Sequence, residues 1–147
     1  MLRNINPLLS PELLHILASM GHGDNLVIAD ANFPGEQIAR ANGCRYVRLD
    51  GILATDILKA VLELMPLDDF VKDPAYVMEV VGDAAEVPPV VTEFQAVIDE
   101  VADNPAPISA IERFAFYDLS KQSYAIVQTG ERRLYGNIIV KKGVVRL

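Results

Sequence analysis

This chain of 147 residues has one cysteine, no tryptophan and only two histidines. A single thiol, Cys44, excludes an internal disulfide framework. With no histidine near it in sequence, it reads as a buried, inert thiol. No closely spaced pair of histidine or cysteine ligands exists, so no metal is expected. No apolar run approaches the ~20 residues that a membrane-crossing helix needs. Met1 to Pro7 lacks the apolar core of a signal peptide, and a cytoplasmic protein is the expectation. Basic residues are in deficit, 13 against 20 acids, for a net charge of −7. That balance argues against nucleic acid and anionic membranes as partners. There is no GxxxxGK[ST] phosphate loop and no Gly-x-Ser-x-Gly elbow. Gly21-His22-Gly23-Asp24-Asn25-Leu26 begins like a dinucleotide fingerprint. It lacks the third glycine and precedes a strand instead of following one. No cofactor is expected.

What is present is a globular composition, 51% hydrophobic and 22% charged, of a length suited to a single domain over residues 1–147. Charge is uneven: residues 1–49 carry four acids and four bases, residues 50–104 thirteen acids and two bases, and residues 105–147 three acids and seven bases. An acidic middle and a basic end can meet within one subunit or between subunits.

Ser10-Pro11-Glu12 is a helix start, with a serine cap, proline at the first helical position and an acid in the first turn. The helix runs to about Met20. Asn25 to Asp30 reads as a buried strand. A Phe33-Pro34-Gly35 turn and a short helix follow, and Arg45 to Leu49 alternates as a strand. Leu53 to Met65 is an amphipathic helix closed by Pro66. Leu67 to Asp73 reads as a polar loop, and the acid pair Asp68-Asp69 as solvated. Tyr76 to Val81 is a strand, Val90 to Val101 a helix, and Ile108 to Ser120 a short helix. The last third reads as antiparallel strands: Tyr124–Gln128, Leu134–Val140 and Val144–Leu147. Alternating strands and helices predict an α/β domain with a largely parallel, mixed sheet flanked by helices.

Few residues suit chemistry. His22 lies on a Gly-flanked loop before a strand that ends in Asp30. Histidine exchanges protons near neutral pH, with an ordinary pKa of ~6.5, so the arrangement suits acid–base chemistry. A solvated loop histidine is the plain alternative. His15 shares a helical stripe with Glu12 and Ser19 and reads as a surface residue. Tyr135-Gly136-Asn137 joins a phenol and an amide that suit hydroxyl-rich ligands; an ordinary strand with an exposed edge explains them equally.

Taken in order, Met20-Gly21-His22-Gly23-Asp24, Asp30-Ala31-Asn32-Phe33-Pro34, Pro66-Leu67-Asp68 with Val77-Met78-Glu79-Val80, Ile111 through Tyr117, and Thr129-Gly130-Glu131 with Leu134-Tyr135-Gly136-Asn137 and Lys142-Gly143-Val144 resemble the L-fucose mutarotase family, which is related to D-ribose pyranase. The resemblance implies a mutarotase/pyranase-like α/β fold in a ring-based homo-oligomer, commonly a decamer, with sites at subunit contacts. It implies interconversion of L-fucose anomers without a cofactor. His22 resembles the proton donor and Tyr117 a second catalytic group. Asp30, Asp68, Met78, Arg113, Tyr135 and Asn137 match sugar-binding positions. The alternatives are a D-ribose pyranase-type activity and a non-catalytic sugar-binding or transport-accessory subunit, which would have no use for a proton donor.

Overall fold

The computed structural model describes residues 1–147. Six strands form one sheet: β1 (Asn25–Ala29), β2 (Arg45–Leu49), β3 (Ala75–Met78), β4 (Ser109–Ile111), β5 (Ala125–Thr129) and β6 (Ile138–Lys141). Their spatial order is β2-β5-β1-β6-β3-β4. All neighbours are parallel except β6, which runs antiparallel to both β1 and β3. Five strands therefore point one way and β6 alone points back, which is the largely parallel, mixed sheet that the sequence predicts.

Five helices cover the two faces: α1 (Pro11–Ser19), α2 (Gly35–Asn42), α3 (Ala54–Leu62), α4 (Pro89–Val101) and α5 (Arg113–Lys121). Alternation in β1 divides the core. Leu26 and Ile28 join the residues of α1, α3 and α4, while Val27 and Ala29 pack with those of α2 and α5. Every residue of β1 and β5 is buried, as expected of strands covered on both faces. The Ser10 side chain caps α1 by accepting from the Leu13 amide, with Pro11 in the first turn. His15 is exposed, as expected.

Four expectations fail here. β5 and β6 do not pair with each other, since β1 lies between them. The connection from Gly130 to Asn137 is long enough to step across a strand, and β5, apolar on both faces, takes an inner position. Val144 to Leu147 forms no strand; the end of β6 is followed only by an isolated bridge between Lys142 and Leu67. Ile108 to Ser120 is not one helix. Its first residues form β4, and α5 begins only at Arg113, behind an Glu112 cap whose carboxylate accepts from the Phe114 and Ala115 amides. Cys44 is half-buried, not buried.

Candidate active site

Ligands of open α/β sheets collect beyond the carboxyl ends of the parallel strands. A cavity of about 230 Å³ lies there, where β1, β3 and β4 end and β6 begins. Asp30 follows β1 directly. Its backbone N–H donates to Asn137 Oδ1 at 2.7 Å, and Asn137 Nδ2 donates to Asp30 Oδ2 at 2.9 Å. This reciprocal pair ties the end of β1 to the start of β6. Asp30 Oδ1 also accepts from the Asn32 amide at 2.9 Å. Burial pushes the Asp30 carboxyl above the ordinary aspartate value, against the opposing hydrogen bonds from Asn32, Asn137, Phe33 and Gly136.

Tyr135 and Asn137 belong to a turn, not to a strand. Tyr135 has a φ of 62°, a left-handed conformation that is rare for bulky residues. Its hydroxyl accepts from the Val81 amide at 3.0 Å, which ties this turn to the segment after β3. Gly136 is required by close approach, because a Cβ there would lie 2.6 Å from Glu131 Cγ. From the other side, α5 presents Arg113 and Tyr117. Their spacing of four puts them on one helical face, and both line the cavity. Arg113 sits over the Phe114 ring at 4.7 Å, and Tyr117 packs against Phe33 with ring centroids 5.7 Å apart. Met78, at the end of β3, is buried and completes the wall.

Six of the eight expected site residues thus share one cavity: Asp30, Met78, Arg113, Tyr117, Tyr135 and Asn137. His22 and Asp68 do not. His22 precedes β1, and its neighbour Gly23 is held by the end of β6 through the Lys142 carbonyl. The segment from Asp24 to Asp30 spans on the order of 20 Å at ~3.3 Å per strand residue. Asp68 is also held there, its amide donating to the Lys141 carbonyl. Its carboxylate is no solvated loop group: the side chain is 2% exposed and sits 3.0 Å from His22 Nε2. The Asp68 carboxylate also accepts from the Phe70 amide. Phe70 stacks beside His22 with centroids 4.8 Å apart. The imidazole remains 42% exposed, so the pair is a fixed, outward-facing histidine with a buried carboxylate behind it.

The sequence reading missed the apolar lining formed by Phe33, Pro34, Val81 and Leu134. Phe33 and Pro34 stood beside Asp30 in the quoted segment and could have been found. Val81 and Leu134 carry no signal beyond being apolar in loops. A larger groove of about 580 Å³ lies between α2 and β2, around Arg40, Tyr46, Arg48 and Gln128. It is lined by exposed ion pairs, Arg40–Glu36 and Arg48–Asp50, and gathers none of the expected residues. No group of three or more His, Cys, Asp or Glu side chains is arranged to hold a metal ion.

Residues 3–145 match the model of the RbsD / FucU transport protein family. The chain belongs to this family. The human protein named fucose mutarotase is 46% identical over 149 residues, covering 99% of this chain and 96% of that protein. Among solved structures, the fucose mutarotase of Streptococcus pneumoniae in complex with L-fucose superposes with a TM-score of 0.89 at 40% identity, covering 99% of this chain and all of that one. RbsD of Bacillus subtilis, complexed with D-ribose, has a TM-score of 0.76 at 23% identity over 99% of this chain and 100% of its own, and shares the fold. The RbsD / FucU assignment explains why the fold reading drawn from a chain-long resemblance held.

Proposed function

We propose that this chain is a mutarotase that interconverts the α and β anomers of L-fucose. One observation carries the reading. Hydroxyl-binding groups and an apolar wall converge on one cavity at the carboxyl edge of the sheet, in a family whose members include a fucose mutarotase solved with L-fucose. Asp30, Arg113, Tyr135 and Asn137 hold the sugar hydroxyls through charged and neutral hydrogen bonds. Met78, with Phe33, Val81 and Leu134, faces the methyl group that distinguishes fucose. One methyl in such a pocket is worth about 1–3 kcal/mol, or roughly 10–200-fold, so D-ribose is turned over more slowly without being excluded.

Mutarotation opens a cyclic hemiacetal. One group delivers a proton to the ring oxygen while another takes the proton of the anomeric hydroxyl. Rotation about the C1–C2 bond and the reverse transfers then give the other anomer. His22 is the proton donor and Tyr117 the second proton-transfer group. With His22 Nε2 engaged by Asp68, Nδ1 is the nitrogen left to exchange a proton with the sugar. The Asp68 carboxylate, 3.0 Å from Nε2, fixes the ring, so its role is to orient His22. The reaction needs no cofactor.

His22 and the cavity lie at opposite ends of β1, so a complete site requires a second copy of the chain. Its His22 and Phe70, both exposed, enter the mouth formed by Val81, Leu134 and Phe114, which are exposed apolar residues. The protein is therefore a homo-oligomer; a closed ring lets every cavity meet a neighbour's histidine, and the family resemblance favours a ring-based decamer. No helix is long and apolar enough to cross a membrane, and the cytoplasm is the proposed location. A transport-accessory protein, as the family's description allows, would bind the sugar without needing His22.

The test is NMR exchange spectroscopy between the two anomers of L-fucose and of D-ribose. Wild-type protein should accelerate exchange of both, fucose more. His22→Ala should lose on the order of 10²–10⁴-fold, the usual contribution of acid–base catalysis, while keeping the fold. Near-normal exchange by His22→Ala would remove the mechanism and favour the binding-only reading.

A further inference from the structure

The turn that carries Tyr135 and Asn137 has no regular secondary structure between Gly130 and Asn137, yet it holds a bulky residue at positive φ. A conformation of that kind persists only where its surroundings over-determine it. The surroundings here centre on one carboxylate. The Glu131 side chain is 1% exposed. Its Oε1 accepts from the Arg133 backbone N–H at 3.1 Å and from Arg133 Nε at 2.9 Å, and its Oε2 accepts from the other guanidinium arm at 2.9 Å. The remaining guanidinium nitrogen forms an ion pair with Glu93 of α4 at 2.8 Å. The Glu131 carbonyl accepts from the Ala31 amide at 2.8 Å, immediately after Asp30. Finally, the Glu131 side chain lies directly under Gly136.

An ion pair with one partner buried and the other half-exposed is a weak source of stability, because desolvation and screening offset the attraction. Its fixed, two-pronged geometry is what it supplies. That geometry acts on the one loop in the chain that presents two sugar-facing groups. We propose that Glu131, clamped by Arg133, is a positioning residue that sets the sugar affinity of the Tyr135-Gly136-Asn137 turn. The inference rests on the mutarotase reading for its kinetic consequence but not for its structural one. Glu131 touches no substrate, and the protons of the reaction do not pass through it.

The test uses full-length Glu131→Gln and Arg133→Lys. Glu131→Gln keeps the shape and removes the charge, and Arg133→Lys keeps the charge and removes the fork. Two readouts apply: KM against kcat for L-fucose, and hydrogen exchange at the Val81 and Asp30 amides, which donate to Tyr135 Oη and Asn137 Oδ1. The expected result is a KM raised about tenfold, the scale of one lost charge-assisted hydrogen bond, with kcat and its pH profile within about twofold of wild type and faster exchange at both amides. Arg133→Lys, which retains part of the clamp, should show the same pattern more weakly; it carries the test if Glu131→Gln fails to fold. A lowered Tm with unchanged KM and unchanged exchange at the two amides would overturn the proposal and leave the Glu131–Arg133 pair with a purely structural role. If wild type interconverts no anomers, the L-fucose Kd by calorimetry takes the place of KM, a rise of about tenfold supporting the inference and an unchanged Kd overturning it, and the mutarotase reading alone fails.

Discussion

The surroundings of Asp30 and His22, two residues of the proposed site, differ. His22 faces solvent with a buried carboxylate behind it. Asp30 is buried and receives hydrogen bonds on both carboxylate oxygens. Burial raises its pKa, which has a definite sign. The native chain binds that proton more tightly than the unfolded chain. Asp30 therefore contributes its stability at low pH and loses it as pH rises through the raised native value. On the proposed reading the order reverses for activity, because the ionised carboxylate keeps both oxygens as acceptors for sugar hydroxyls. The acid limb of kcat/KM against pH should therefore lie above the ordinary aspartate value of 3.8. Anomer-exchange rates measured from acid to neutral pH give the limb directly, and a limb at or below 3.8 would show that Asp30 is not the group that titrates. His22 and Asp30 could be picked out from residue type and neighbours. Asp68 was read as part of a solvated loop, whereas the structure buries its carboxylate against His22, because a tandem acid pair looks solvated until the chain that buries one of them is seen. Asp69, its neighbour, does remain exposed and pairs with Arg146 at 2.8 Å.

At the scale of elements, helix boundaries were legible where caps and prolines mark them. Ser10 and Pro11 open α1, Pro66 follows the end of α3, and Pro88-Pro89 opens α4. Strand partners were not legible, because pairing across the sheet is a tertiary choice. The β5–β6 hairpin reading failed for that reason, and the three residues of β4 are too few to show alternation. The element that serves His22 is the far end of β6. Gly143 there lies so close to the Leu67–Asp68 backbone that an added Cβ would be 2.8 Å from the Leu67 carbonyl oxygen and 2.9 Å from Asp68 Cα. Backbone atoms cannot swing aside, so Gly143→Ala must displace Asp68 from His22. The expected cost is about 1–3 kcal/mol of stability, as for other overpacked sites, together with a drop in exchange rate of about tenfold from weakening a charge-assisted hydrogen bond. Urea unfolding and anomer exchange on one preparation measure both. Unchanged values would mean that the β6 terminus is not what fixes the pair.

Over the whole molecule, the two groups of expected site residues stand apart by the length of β1. Six expected residues line a cavity at the carboxyl edge, while His22 and Asp68 stand at the other end of β1 and β6. The resemblance supplied both sets of residues, and no reading of the sequence alone could reveal that one copy keeps them apart. The uneven charge is partly satisfied within the chain, since Arg133 pairs with Glu93 and Arg146 with Asp69, so assembly need not rely on charge alone. The account's central claim is that a working site joins the cavity of one copy to the histidine of another. Complementation measures it most directly. His22→Ala and Arg113→Ala, each nearly inactive, are co-assembled in equal amounts and assayed by NMR exchange between the anomers of L-fucose. Random mixing in a symmetric oligomer leaves about a quarter of the interfaces with both an intact cavity and an intact histidine, so about a quarter of wild-type exchange should return. A mixture as inactive as either variant alone would contradict the composite site.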